Sequence, residues 1–221
     1  MAIKLETTAR AWRRVYLYGA TKTMKTSTAA EFPQPIFAQD SEMRGADFLP
    51  AARVTIDTAQ QFAKFVSDVA GEKYQTVVID DFGNMIRRWV AANAGDKDPR
   101  TAYKRVYAAV MPQLQALLAQ PRHLVITGHH KSEMELPVNY EQERAWVHPN
   151  LPDALETYVL GMFDVISYTY NNGKPSALVF ENANQKRRIV AGSRIGLPFT
   201  TLAAKTHGIV ALKALATEVI K

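Results

Sequence analysis

The segment Thr76-Val77-Val78-Ile79-Asp80-Asp81 restricts the fold more than any other stretch of the chain. Its apolar run has no polar alternation, so a strand made of it must be buried on both faces. Such strands belong to parallel sheets, whose crossover connections lay helices over either side. The two carboxylates close the strand at its C-terminal edge, where open α/β sheets gather their ligands. Residues Arg13 to Tyr18 are β-branched and aromatic, and they run into Gly19 and then a Lys/Thr/Ser/Ala segment of helical character. That order reads as strand, turn, helix.

Ile36-Phe37-Ala38 predicts a second strand after Pro33 and Pro35, closing on Asp40-Ser41-Glu42, with a loop containing Gly45 behind it. Phe62, Phe65, Val66 and Val69 share one face of a helix from Ala59 to Val69. Helices are expected over 85–94 and 102–119 with a polar loop at 95–100 between them, followed by a buried strand over 123–127. The stretch 131–152 is rich in Glu and turn residues and too long for a simple connection, which marks it as a functional or mobile loop. A helix over 153–162 precedes a hairpin region within 165–194. Its strands at 165–170 and 177–181 join through Asn171-Asn172-Gly173, where Asn-Gly supplies the positive φ of a tight turn, and 189–191 adds a third strand. The pattern predicts one α/β domain over residues 1–221, with a mostly parallel sheet flanked by helices and antiparallel strands added at one edge.

A chain of 221 residues can bury enough apolar surface to fold without covalent staples. The absence of cysteine excludes disulfides, thiolate metal sites and cysteine nucleophiles together, and fits a reducing compartment. No run of about 18 apolar residues is present, and no apolar stretch precedes a cleavage site at the N-terminus, so a cytoplasmic protein without a membrane role is expected. The net charge of +6 admits an anionic partner.

The turn after the first strand, Gly19-Ala20-Thr21-Lys22-Thr23-Met24-Lys25-Thr26, follows the phosphate-loop pattern G-x-x-x-x-G-K-[ST] with Met24 in place of the second glycine. In such a loop, backbone N–H groups wrap phosphate oxygens, the lysine reaches the β and γ phosphates, and the hydroxyl holds magnesium. Lys25 and Thr26 are the candidates for the last two roles, with Ser27 beside them; a side chain at Met24 makes close approach of backbone to phosphate less assured. Val77-Val78-Ile79-Asp80-Asp81 has the form of the partner motif, in which Asp80 holds magnesium through water. The cofactors expected are therefore ATP and Mg2+. Hydrolysis also needs a group to orient or deprotonate water. Glu42, Asp40 and Asp81 are candidates, with Glu42 preferred because it closes the second strand on the same sheet edge. Thr127, His129 and His130 close the strand after Asp80, where a polar side chain could sense the γ phosphate, and His129 is the favoured member.

This order of motifs resembles the RecA-like phage ATPases, the family that includes phage-encoded recombinase and single-strand annealing ATPases. The resemblance covers most of the chain. It rests on Tyr18-Gly19 with Lys25-Thr26, on Phe32-Pro33-Gln34-Pro35-Ile36-Phe37 leading to Asp40-Ser41-Glu42, on Thr76 to Asp81, on Val125-Ile126-Thr127-Gly128-His129, and on Phe163-Asp164-Val165 followed by a basic hairpin ending in Arg194. It implies a RecA-like core, assembly of a homo-oligomer as a ring or filament, and binding of single-stranded DNA during phage recombination or replication in a bacterial host. It also implies Glu42 as catalytic base. Lys131, Lys186, Arg187, Arg188 and Arg194 are the candidates for reaching a neighbouring subunit's nucleotide or DNA phosphates. Two other readings share the loop: a noncatalytic nucleotide-binding module, and a small-molecule kinase, which needs an arginine-bearing lid that the sequence does not offer.

Overall fold

The computed structural model describes residues 12–93, 99–135, 144–171, 176–179, 187–194 and 201–203. Elements follow in the order β1 (Arg14–Gly19), α1 (Lys25–Ala29), β2 (Pro35–Gln39), a 3-10 turn (Gly45–Phe48), β3 (Ala52–Thr55), α2 (Ala59–Ala70), β4 (Thr76–Asp80), α3 (Phe82–Asn93), α4 (Pro99–Ala119) and β5 (His123–Gly128). Then come β6 (His130–Glu135), β7 (Arg144–Pro149), α5 (Asp153–Gly161), β8 (Val165–Asn171), β9 (Ser176–Val179), β10 (Arg187–Ile189), β11 (Gly192–Ser193) and β12 (Thr201–Ala203).

The main sheet has the order β12-β9-β8-β1-β5-β4-β2-β3, with β11 also pairing with β8. From β3 to β8 every neighbouring pair is parallel, and β9, β11 and β12 are antiparallel additions at one edge. This is the predicted architecture, a mostly parallel sheet with antiparallel strands added at one edge. The strand bearing the phosphate loop and the strand bearing Asp80 are separated by β5.

Alternation along the strands divides the core in two. Tyr16, Tyr18, Ile36, Val77, Ile79, Leu124 and Ile126 face the larger layer with the apolar sides of α2, α3, α4 and α5. Val15, Leu17, Phe37, Val78 and Val125 face the smaller layer with Ala29, Phe32 and Ala46. β4 is buried at every position, as its composition required. Helix α2 is held at its start by Thr58, whose hydroxyl accepts the Gln61 N–H while the Gln61 side chain accepts the Thr58 N–H. A reciprocal cap of this kind satisfies two otherwise orphaned amides.

Two expectations are corrected. The stretch 131–152 is not a loop throughout: β6 and β7 form an antiparallel pair, and β10 joins β7 in parallel to make a separate small sheet. That sheet rests on the main one through Tyr18, whose hydroxyl lies 3.2 Å from the Val147 carbonyl and 2.7 Å from the Val190 carbonyl. The third strand expected at 189–191 belongs to this small sheet, ending at Ile189, and not to the hairpin. The expected hairpin is present as the antiparallel pair β8 and β9, and Asn172 and Gly173 of its turn lie outside the described residues. Among the described residues no helix is long and apolar enough to cross a membrane.

Candidate functional site

The register of the sheet brings the C-terminal ends of its central strands to one edge. Tyr18 lies opposite Gly128, Ile79 opposite Ile126, and Gln39 opposite Asp80. The residues that follow these positions line a cleft of about 300 Å³: Thr21, Lys22, Lys25 and Thr26 from the turn after β1, Glu42 to Gly45 after β2, Asp80 and Asp81 from β4, and His129 after β5. Four strand ends, remote in sequence, thus supply one site.

The turn is curled, and two of its residues are left-handed. Lys22 has φ 62° and Met24 has φ 64°. The pattern places a glycine where Met24 stands because a left-handed backbone is free of penalty only without a Cβ. Methionine takes the same conformation with its side chain 39 % exposed, so the turn keeps its shape. Gly19 has a different reason to be glycine. A Cβ there would stand 2.0 Å from the Thr169 carbonyl oxygen, so β1 can lie against β8 at this point only without a side chain. Thr169 also fixes the turn through its hydroxyl, 2.7 Å from that of the buried Thr23 and 3.1 Å from the Tyr18 carbonyl. Ala20 contributes its carbonyl, which accepts from the Thr23 hydroxyl at 2.8 Å. Among the described residues, the amides of 21–26 are given to no acceptor. They are therefore available to an anion seated in the curl.

Lys25 is buried and donates its ammonium to the Gly19 and Ala20 carbonyls at 3.2 and 2.7 Å. Burial pulls its pKa down, against the opposing attraction of Asp81 and Asp80. Both carboxyls are pushed up by burial: Asp80 against hydrogen bonds from Thr127 and Thr26, Asp81 chiefly against the Asn84 amide and the nearby Lys25. One cation and two acids, all disfavoured as ions by their surroundings, gain from further charges of opposite sign. A divalent cation would answer the acids and a polyphosphate the lysine.

Thr26 donates its hydroxyl to Asp80 Oδ2 at 2.9 Å. The buried Thr127 donates to the other oxygen, Oδ1, and so fixes the plane of the carboxylate. Thr127 is turned to Asp80 and is not among the residues lining the cleft, which corrects its expected role as a sensor of phosphate. The residues fit magnesium. A hydroxyl and a carboxylate within hydrogen-bond reach offer two oxygens to an ion that habitually takes few from protein and the rest from water and phosphate. No group of three or more acidic or histidine side chains among the described residues forms a self-sufficient metal cage. The space beside the pair is kept open by Gly45, where a Cβ would approach Thr26 Oγ1 to 3.1 Å and Asp80 Oδ2 to 3.2 Å.

Of the acids considered for water activation, Asp40 is buried and engaged. Its Oδ1 accepts the amides of Glu42 and Met43 at 2.7 and 2.6 Å, which ties down the loop after β2. Glu42 lines the cleft with its side chain 71 % exposed. Asp81 sits with Oδ2 3.3 Å from His129 Nε2, and burial followed by Lys25 and Arg87 lowers the pKa of that histidine, so the ring is held neutral. Ser27 lies half-buried within α1, off the cleft.

Of the outlying basic candidates, Lys131 and Arg194 are not among the residues lining the cleft. Lys131 is 2.6 Å from Asp153 and 3.7 Å from Glu156. Arg194 is exposed and donates to the Gly161 carbonyl at 2.8 Å. Arg187 and Arg188 lie in β10, and Lys186 falls outside the described residues. Sequence reasoning missed Gly45, Thr169 and Arg88. A glycine after an acidic cluster was the one visible signal among them. Arg88 on α3 brings its guanidinium within 3.1 Å of Asp40, 3.3 Å of Glu42 and 3.6 Å of Asp57.

A family model described as an AAA domain matches residues 11–195. No curated protein matches the sequence. Among solved structures, a KaiC-like protein from the hyperthermophilic archaeon Pyrococcus horikoshii OT3 is similar at 12% identity, with a TM-score of 0.44 over 76% of this chain and 77% of that one.

Proposed function

Because the chain belongs to the AAA-domain family of P-loop ATPases, we propose that it binds magnesium ATP in the cleft at the C-terminal sheet edge, hydrolyses it, and couples turnover to single-stranded DNA. The observation that carries the nucleotide part is the coincidence of Lys25, Thr26 and Asp80 at the mouth of a curled turn whose amides are unspent. Lys25, which now donates to the Gly19 and Ala20 carbonyls, would give its ammonium to phosphate oxygens. Thr26 and Asp80 would hold the metal. Magnesium, when bound, neutralises charge on the phosphate oxygens and orients them.

Glu42 accepts the proton of the attacking water. It is the exposed carboxylate among the acids of the cleft, whereas Asp80 accepts from Thr26 and Thr127, and Asp81 from the Asn84 amide. His129, its Nε2 3.3 Å from Asp81 Oδ2, lies where β5 leaves the sheet and follows the state of the γ phosphate. Residues on four separate strand ends report on one ligand, so a change there reaches the loops that border it.

Single-stranded DNA is proposed as the partner because the chain carries a net +6 and its motif order resembles that of phage recombination ATPases. A homo-oligomeric ring or filament, acting in recombination or replication within a phage-carrying host, completes this reading. The test is phosphate release with and without single-stranded oligonucleotide at low and moderate salt. Expected are stimulation by the oligonucleotide, binding that weakens with salt, and loss of turnover by roughly a hundredfold in Glu42→Gln with nucleotide binding kept. Nucleotide binding with no turnover under any condition would instead mark a noncatalytic module, and turnover indifferent to oligonucleotide would remove the DNA part.

A further inference from the structure

Three acidic side chains from the two segments that flank β3 converge on one guanidinium. Asp40 and Glu42 follow β2, and Asp57 precedes α2; Arg88 reaches all three from the second turn of α3. The three carboxylates are unequal. Asp40 is buried, holds the amides of Glu42 and Met43, and cannot move without undoing the loop. Asp57 accepts the Ser41 amide at 3.0 Å, a bond that with Ser41's hydroxyl and Arg88 holds its carboxyl below the usual range. Glu42 has a long side chain, 71 % exposed, and its described partner is Arg88.

Arg88 itself stands on a rigid base. Its neighbours Ile86, Trp89 and Val90 are buried in the main core, and its own side chain is only 33 % exposed. Helix α3 begins at Phe82, directly after Asp80 and Asp81, so the guanidinium is carried by the helix that follows at once on the strand end bearing the metal-side acids. We propose that Arg88 is the positioning residue for Glu42. It fixes the carboxylate of a flexible side chain at a set place on the rim of the cleft, using Asp40 as the immovable second anchor. This inference rests on Glu42 as the base that activates water.

The gain from such an anchor is entropic and geometric. An exposed glutamate samples many rotamers and spends little time where a water at the γ phosphate needs it; restricting those rotamers raises the productive fraction. The planar guanidinium suits the task because it can engage Asp40 with one nitrogen and Glu42 with another, in a fixed relative geometry. A lysine ammonium reaches one acid well and the second poorly, so Lys at this position recovers part of the effect.

The experiment is a double-mutant cycle on the full chain, with turnover and fluorescent-nucleotide binding measured for Arg88→Gln, Arg88→Lys, Glu42→Gln and the pair Arg88→Gln/Glu42→Gln, each checked by thermal melting. Expected is a fall in kcat of about tenfold for Arg88→Gln with KM for magnesium ATP unchanged, and partial recovery in Arg88→Lys. In the Glu42→Gln background, Arg88→Gln should cause no further loss, because an anchor has nothing left to hold. An unchanged kcat in Arg88→Gln, a loss that adds in full to that of Glu42→Gln, or a rise in KM alone overturns the proposal. Wild-type turnover in Glu42→Gln by itself overturns the base assignment, and the anchor falls with it. If Arg88→Gln melts far below the wild type, Arg88→Lys decides: full activity in a well-folded Lys variant also overturns the anchor.

Discussion

A single methyl group at Gly45 tests the metal site without replacing any residue proposed to bind metal or nucleotide. The ideal Cβ of Gly45→Ala would stand 3.1 Å from Thr26 Oγ1, 3.2 Å from Asp80 Oδ2 and 3.5 Å from Thr26 Cγ2. The two oxygen distances fall a few tenths of an ångström short of comfortable contact, so either the loop after β2 recedes by that amount or the Thr26 and Asp80 pair is displaced by it. Gly45 is exposed and its backbone is not left-handed, so alanine should cost the fold within about 0.5 kcal/mol. Magnesium is less forgiving, since it demands near-octahedral oxygens at about 2.0–2.1 Å. A misplacement of about 1 Å can cost a hundredfold, so a third of that displacement should cost about three- to tenfold in kcat/KM, equivalent to about 0.7–1.4 kcal/mol. The assay is a magnesium titration of nucleotide binding and turnover, with a matched binding measurement in chelator and a melting curve. The expected result is a midpoint for magnesium shifted to higher concentration, metal-free binding unaltered, and melting nearly unchanged. A magnesium midpoint identical to the wild type would refute the placement of the ion beside Thr26 and Asp80. Melting several degrees lower would show that Gly45 serves the packing of the loop and that the argument from space was wrong.

Two further outcomes are expected. Thr127→Val keeps the shape of a fully buried side chain but removes the donor to Asp80 Oδ1, leaving that carboxylate free to rotate and harder to ionise; stability should fall by about 1–3 kcal/mol in equilibrium unfolding and the magnesium midpoint should rise, whereas an unaltered metal response would separate Thr127 from the site. His123 accepts the Arg13 amide at its Nδ1, 3.0 Å away, and burial followed by Arg13 pushes its pKa down to about 4. Between that value and the ordinary histidine pKa the unfolded chain binds more protons than the folded one. The stability from neutral His123 is thus complete above the unfolded pKa and lost as pH falls toward the folded one, a loss of about 2 kcal/mol by mildly acidic pH. Between about pH 4 and 6.5 stability should fall less steeply with acidification in His123→Gln than in the wild type, and equal slopes in the two would refute the assignment.

The parallel core was legible because burial on both faces leaves a one-dimensional trace: Val77-Val78-Ile79 and Leu124-Val125-Ile126 can be little else. The helix over Ala59–Ala70 was legible for the related reason that its apolar face repeats with the helical period. Strands β3, β6 and β7 leave no such trace. β3 is an edge strand with three of its four residues exposed, so its composition is set by water and not by the core. In β6 and β7 the pairing is local and antiparallel, and the small sheet meets the main one through few contacts such as Tyr18 with the Val147 carbonyl. Such strands can carry Glu and Lys at most positions, which reads as a loop. Arg88 and Thr169 were invisible for another reason: each acts on residues far away in sequence, and no local pattern distinguishes an arginine on a helix surface from one that gathers three carboxylates.

Met24 separates a consensus letter from the physical demand that produces it. A glycine is usual at that position because the turn needs a left-handed residue there, and the pattern records the residue that supplies this most cheaply. The demand is a φ near +60°, and Met24 meets it at 64°. An L-residue held in that region costs about 1–2 kcal/mol relative to its preferred conformations. The chain offsets such strain locally: Thr23 bonds to Ala20 and Thr169, and Lys25 bonds to Gly19 and Ala20, so the turn is over-determined on both sides of the strained residue. The Met24 side chain is partly exposed, so the strained residue does not also crowd the core. Gly19 cannot be relieved in this way, because its obstacle is the carbonyl of a neighbouring strand at 2.0 Å and not a torsional preference. Of the two glycines in the pattern, the one this chain has kept is therefore the one whose replacement no hydrogen bond could offset.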